Sequence, residues 1–213
     1  MRRMGCLVVV LLVLGVLFFI ADQAVTTYAE QRTTASVSQA LDADATVALT
    51  GWPVGARMLL GSIPEAHVAA TDVPIGKGAT LERLEVTLTD VKVDVNDLRQ
   101  NSDQLPPADE GTFAAELSEA SVTAMLGLPG NLAKVRLRNG VMQLRAAGLE
   151  VEAEVGTRDG DVVVRLRGRL VQLLGGAKFT IDLSGVPGSP EVDDVKIRRG
   201  AMTLSGTLAD IRR

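Results

Sequence analysis

The chain has one cysteine, Cys6, and one histidine, His67, in 213 residues. A single cysteine excludes any disulfide within the chain and any multi-cysteine metal site. A single histidine excludes the common histidine-cluster sites. Aromatic residues make up only 3% of the chain, with one Trp, one Tyr and four Phe. A core or cavity built from this chain is therefore lined by Val, Leu, Ile, Ala and Met. Basic blocks interleaved with aromatics are missing, and the net charge is -4. That argues against a nucleic-acid partner.

One long hydrophobic run is present, and it sits at the start. Arg2 and Arg3 precede an apolar stretch from Gly5 to Ala21, 17 residues. As a helix it reaches about 26 Å, near the short limit for crossing a bilayer. It reads as either an uncleaved anchor or a signal peptide. In both cases the leading arginines put residues 22–213 on the outer side of the membrane. Cys6 precedes the apolar run, whereas lipoprotein processing needs the cysteine after it. We therefore expect residues 1–21 to be the targeting or anchoring segment, and 22–213 to form a single α+β domain.

Residues 22–43 lack Gly and Pro, and Ala21, Val25, Tyr28 and Ala35 recur at helical spacing, with Val37 and Leu41 extending the stripe less neatly. One helix is expected there, weakened by its Thr and Ser content. From residue 45 the period becomes two. "ATVALT" aligns Val47 with Leu49, and "TLERLEVTLTDVKVDV" aligns Leu84, Val86 and Leu88. Val91, Val93 and Val95 follow in the opposite phase, so a bulge or bend is expected near Thr89-Asp90. "LEVEAEV" and "VVVRLRGRL" read as strands with one wet face. Asn139-Gly140 and Asp159-Gly160 are hairpin signals. The second hairpin would set Glu150, Glu152 and Glu154 beside Arg165, Arg167 and Arg169, a charge-matched solvated face. Residues 101–111 read as a polar loop. "LSEASVTAMLGLPG" reads as a short helix capped by Ser118 and stopped by Gly127 and Pro129. No strict internal repeat is evident.

Catalytic sets are hard to find. His67 lies in an alternating stretch, and no nucleophile elbow accompanies it. Asp90, Asp94, Asn96 and Asp97 echo a calcium loop but lack its central glycine and closing glutamate. No phosphate-cradling glycine loop follows a strand. The acids fall mostly on polar strand faces. We expect no catalysis, no metal and no cofactor.

The segment "GWPVGARMLLGSIPEAHVAATDVPIGKGATLERLEVTLTDVKVDVNDL" resembles the LmeA-like family of actinobacterial cell-envelope proteins. The family's glycine-aromatic-proline motif matches Gly51, Trp52 and Pro53. Its leucine-glycine pair matches Leu60-Gly61, and its aspartate-valine-proline matches Asp72-Val73-Pro74. "ELSEASVTAMLGLPG" is similar to its short helix after the central loop. The resemblance implies a tubular lipid-binding fold, in which one long, strongly twisted antiparallel sheet wraps a helix. It implies a phospholipid ligand, phosphatidylinositol types included, and a role in lipomannan and lipoarabinomannan assembly outside the membrane.

Two readings stand for the opening motif. Trp52 is a turn residue packed on a sheet edge, or it belongs to the mouth of an acyl-chain groove or to the membrane interface. The groove reading selects Trp52, Pro53, Val54, Met58, Leu59, Leu60 and Val68 as lipid-binding residues. For Met58, Leu59 and Leu60 ordinary core is the competing assignment. A non-catalytic scaffold recruiting a glycosyltransferase or secretion partner is the alternative function. A hydrolase acting on envelope glycolipid is a third.

Overall fold

The computed structural model describes residues 23, 26–51, 53, 54, 57, 60–76, 78–92, 108–126, 133–146, 149–166, 178–181, 183 and 188–208. The expected segment 1–21, Trp52, Met58, Leu59 and Asp94–Asp97 lie outside them, as do Arg167, Arg169 and most of the 101–111 loop. Among the described residues no helix is long and apolar enough to cross a membrane.

The fold is α+β, mostly antiparallel sheet with two helices. Helix α1 covers 26–41. Strands β1 (Asp44–Thr50), β2 (Ser62–Gly76), β3 (Ala79–Lys92) and β4 (Glu110–Ser118) follow as a meander. Helix α2 (Glu119–Met125) leads into a second meander. It comprises β5 (Ala133–Arg138), β6 (Val141–Ala146), β7 (Leu149–Arg158), β8 (Asp161–Leu166) and β9 (Lys178–Ile181). The hairpin β10 (Pro190–Arg198) and β11 (Ala201–Leu208) then returns to pair with β4. Instead of one long sheet there are two: a first sheet ordered β1-β2-β3-β4-β11-β10 and a second ordered β5-β6-β7-β8-β9. The break falls where Ser118 ends β4 and at once caps α2, its hydroxyl accepting the Ser121 N–H. Pairing cannot continue through a residue that starts a helix.

Both expected hairpins form. Asn139-Gly140 and Asp159-Gly160 have positive φ at both positions, as a type I′ turn requires. Glu154 pairs with Arg165 in the predicted register. The expected phase change is also there. Leu88 and Val91 are both buried, and Asp90 between them has φ +49°. The β2–β3 ladder keeps its register through this point, with Ala66 opposite Leu88 and Ile63 opposite Val91. It is therefore a paired bend of both strands and not a bulge.

The first sheet's inward face is built from rungs of apolar residues. One rung runs across all six strands as Ala45, Ala70, Leu84, Ala115, Leu204 and Val195. Alanines and larger aliphatics share the rung, and its interior members are fully buried. Leu137, Met142, Leu144, Val162 and Val164 supply the second sheet's share, and one continuous core spans both sheets. Three main-chain hydrogen bonds stitch the sheets together. Gly140 N–H donates to Ile197 O (2.9 Å), Gly200 N–H to Leu137 O (3.0 Å), and Val192 N–H to Gly160 O (2.8 Å).

Candidate functional site

Each helix guards the open edge of a sheet. β1 is an edge strand, and its outward N–H groups have no strand partner. Helix α1 supplies one. Glu30 Oε1 accepts the Leu49 N–H (2.9 Å), Thr34 Oγ1 the Val47 N–H (3.0 Å) and Ser38 Oγ the Ala45 N–H (3.1 Å). Four helical residues rise about 6 Å and two strand residues about 6.7 Å, so the two series keep step. Helix α2 repeats the device on β5, the edge of the second sheet. Glu119 Oε1 accepts the Leu137 N–H (2.7 Å) and Thr123 Oγ1 the Val135 N–H (3.1 Å). The two meanders thus open the same way, although their sequences show no strict repeat.

Helix α1 also turns Ala29, Val37 and Leu41 toward the core. Tyr28, expected on that stripe, is 64% exposed. Beside α1 the inward face of the first sheet is only partly covered. The rung Val47, Val68, Val86, Phe113 crosses β1 to β4, and Leu49 lies diagonally beyond it. Leu49, Val68 and Val86 are half-buried, whereas Leu84 in the next rung is fully buried. This strip carries only aliphatic side chains and Phe113, with no acid, base or nucleophile. It suits an acyl chain, each buried CH₂ of which contributes about 0.8 kcal/mol.

The motif residues lie at one end of this arrangement. Pro53 is half-buried, and its carbonyl accepts the Arg57 N–H (3.2 Å) to start a single helical turn. Leu60 N–H donates to Arg57 O (2.9 Å) and ends it. Val54 is 6% exposed and Leu60 84% exposed, so the turn buries one and offers the other to solvent. Gly51 precedes it with φ +104°, and a Cβ there would fall 2.7 Å from Pro64 Cγ. Val68 lies six residues into β2 from Ser62, about 20 Å along the strand. Val54 and Leu60 thus lie in the segment before β2, while Val68 belongs to the half-buried strip. Leu49 and Val86 also belong to that strip and had no place in the sequence-derived set. Their signal was the alternation itself, which marks a face but not how fully it is covered.

His67 lies on the outer face, with Nε2 2.7 Å from Glu65 Oε1 and Nδ1 3.1 Å from Thr87 Oγ1. The connectivity imitates a triad, but all three sit on an open strand surface exposed to water. Among the described residues no group of His, Cys, Asp or Glu is arranged to hold a metal ion.

A protein-family model described as LmeA-like phospholipid-binding matches residues 20–207. No curated protein and no solved structure matches the chain.

Proposed function

The chain belongs to the LmeA-like phospholipid-binding family, and from that premise we propose that it works outside the plasma membrane as a non-catalytic phospholipid carrier or presenter. The family match over residues 20–207 carries the lipid-binding reading. The half-buried strip of Leu49, Val68 and Val86 beside α1 supports a place for the acyl chains. In this reading the first sheet and α1 hold the lipid in the wrapped manner of tubular lipid-binding domains. Pro53, Val54 and Leu60, with Trp52, Met58 and Leu59, form its mouth. The N-terminal arginines and apolar run support an envelope location, with the segment acting as anchor or signal. The family resemblance further supports a phosphatidylinositol-type head group and a contribution to lipomannan and lipoarabinomannan assembly.

The deciding experiment is native mass spectrometry of residues 22–213 purified from the envelope of a lipid-rich host, with extraction and identification of the ligand. A stoichiometric phospholipid adduct that Val68→Trp displaces supports the reading. A clean apo mass after incubation with phospholipid vesicles overturns it. The scaffold alternative would then lead, and a co-purifying glycosyltransferase or secretion partner would identify it.

A further inference from the structure

The outer faces of the first sheet and of the β5–β6 hairpin carry opposite charge. The rungs of the first sheet, from Thr50 to Arg198, present seven acidic residues, from Asp44 on β1 to Asp194 on β10, against Arg83, Lys196 and Arg198. The β5–β6 hairpin reverses the sign. Lys134, Arg136 and Arg138 alternate along one face of β5, and Arg145 joins them from β6. All four are exposed. The hairpin's remaining outward residues, Val141 and Gln143, are uncharged, so its outer face carries no acid at all. The nearest carboxylates, Glu150 and Glu152, stand one strand away on β7, opposite Arg145 and Gln143. Among the described residues none of the four cations lies within ion-pairing distance of a carboxylate.

Lys134 is directly opposite Arg145. Like charges so placed destabilise a sheet. A chain of net charge -4 nonetheless concentrates four cations on one two-stranded ribbon. An external anion removes the repulsion and turns the cost into binding energy. The geometry also selects the kind of anion. Six-residue strands give a ribbon about 20 Å long. Its cations share one face on long flexible stems, with no exposed aromatic anchor among them. Protein interfaces concentrate their energy in such anchors, whereas a plane of phosphate diesters needs only charge spread over an area.

We propose that the outer face of the β5–β6 hairpin docks on anionic phospholipid headgroups, through Lys134, Arg136, Arg138 and Arg145. The acidic face of the first sheet is repelled by the same surface, so docking fixes which side of the protein faces the membrane. This surface acts on headgroups in the bilayer plane and is separate from any lipid held within the fold.

The test uses the full chain in a Cys6→Ser background, reconstituted into nanodiscs with dye-labelled headgroups. A donor dye is placed at Thr180→Cys, on the outer face of the second sheet, or at Thr112→Cys, on that of the first. With phosphatidylglycerol present, energy transfer from position 180 should exceed that from 112, and salt should abolish the difference. In pure phosphatidylcholine the two should match. Each of Lys134→Gln, Arg136→Gln and Arg138→Gln should lower the docked-to-undocked ratio about fivefold, the equivalent of about 1 kcal/mol per charge. Should one of these variants misfold by circular dichroism, the remaining two give the same reading. Equal transfer from both faces, or transfer indifferent to lipid charge, overturns the proposal. A bound lipid adduct in the native mass spectrum should persist in these variants, which separates failure of docking from failure of lipid binding.

Discussion

Glu30 Oε1 accepts the Leu49 N–H at 2.9 Å, and Glu119 Oε1 accepts the Leu137 N–H at 2.7 Å. Each glutamate lies on a helix, and each leucine lies on the edge strand that its helix shields. Removing either carboxylate strips a part-buried donor of its partner. Glu30→Ala and Glu119→Ala should each cost about 1–2 kcal/mol in urea unfolding. Glu30→Gln and Glu119→Gln keep an acceptor and should cost less. The sites lie on different helices and sheets and share no partner, so the double variant should show the sum. A double variant no weaker than either single one would mean the edges are not held this way.

Gly206 lies opposite Val192, where β10 carries an irregularity between Val192 and Asp194. A Cβ on Gly206 would run into the Glu191 carbonyl. Gly206→Ala should therefore destabilise by about 3 kcal/mol, as overpacking against rigid backbone does. At Gly156 a Cβ would meet open space. Gly156→Ala should stay within about 0.5 kcal/mol of the parent. Thermal unfolding of the two variants side by side checks the difference.

Leu84 and Leu60 are both leucines, but one is fully buried and the other is 84% exposed. Leu84→Ala should cost about 2–5 kcal/mol, through lost transfer energy and the cavity left behind. Leu60→Asp should leave stability within about 0.5 kcal/mol while weakening phospholipid uptake measured by mass spectrometry. A large loss of stability in Leu60→Asp would show that the leucine packs on something and is not available to lipid.

The Lys196 ammonium lies 2.9 Å from Asp194 Oδ2. Its hydrogen bond holds the Asp194 carboxyl below the ordinary value of 3.8. A carboxyl lowered in the folded state adds stability above its ordinary value, and that stability fades as pH falls through the lowered one. The pair is open to water, so the effect on unfolding is small and the direct observable is the titration. Lys196→Met should raise the Asp194 midpoint toward 3.8 in an NMR titration of its carboxyl carbon. An unchanged midpoint would assign the lowering to something other than Lys196.

Local pattern carried much of this fold into view. Alternation marked most strands, Asn139-Gly140 and Asp159-Gly160 marked their turns, and Ser118 marked the start of α2. The bend at Asp90 showed as a slip of phase, because a face can change sides only where the backbone does. Division into two sheets was not legible. It depends on β4 pairing with β11, far along the chain, and no local preference encodes a distant partner. The Thr and Ser of α1 misled in an informative way. They lower helix propensity, and here Thr34 and Ser38 sit at four-residue spacing to serve β1. Their meaning needed the strand beside them. In the turn after Gly51, alternation could not separate buried Val54 from exposed Leu60, since a single helical turn is too short to show a period.

Main-chain bonds at Gly140, Val192 and Gly200 join the two sheets, beside one from the Thr157 hydroxyl to the Asp193 carbonyl. Gly140 and Gly200 donate, and Gly160 accepts, from positive φ, so the join depends on the turn glycines and not on the strand side chains opposite them. Substitutions at Ile197 or Leu137 change packing, yet the carbonyls that accept these bonds remain. Substitution along β10 can therefore change the charge of its outer face while the sheets stay in alignment. Surface charge and sheet alignment are thus set by different parts of the chain, the strands' outward side chains and the turn glycines.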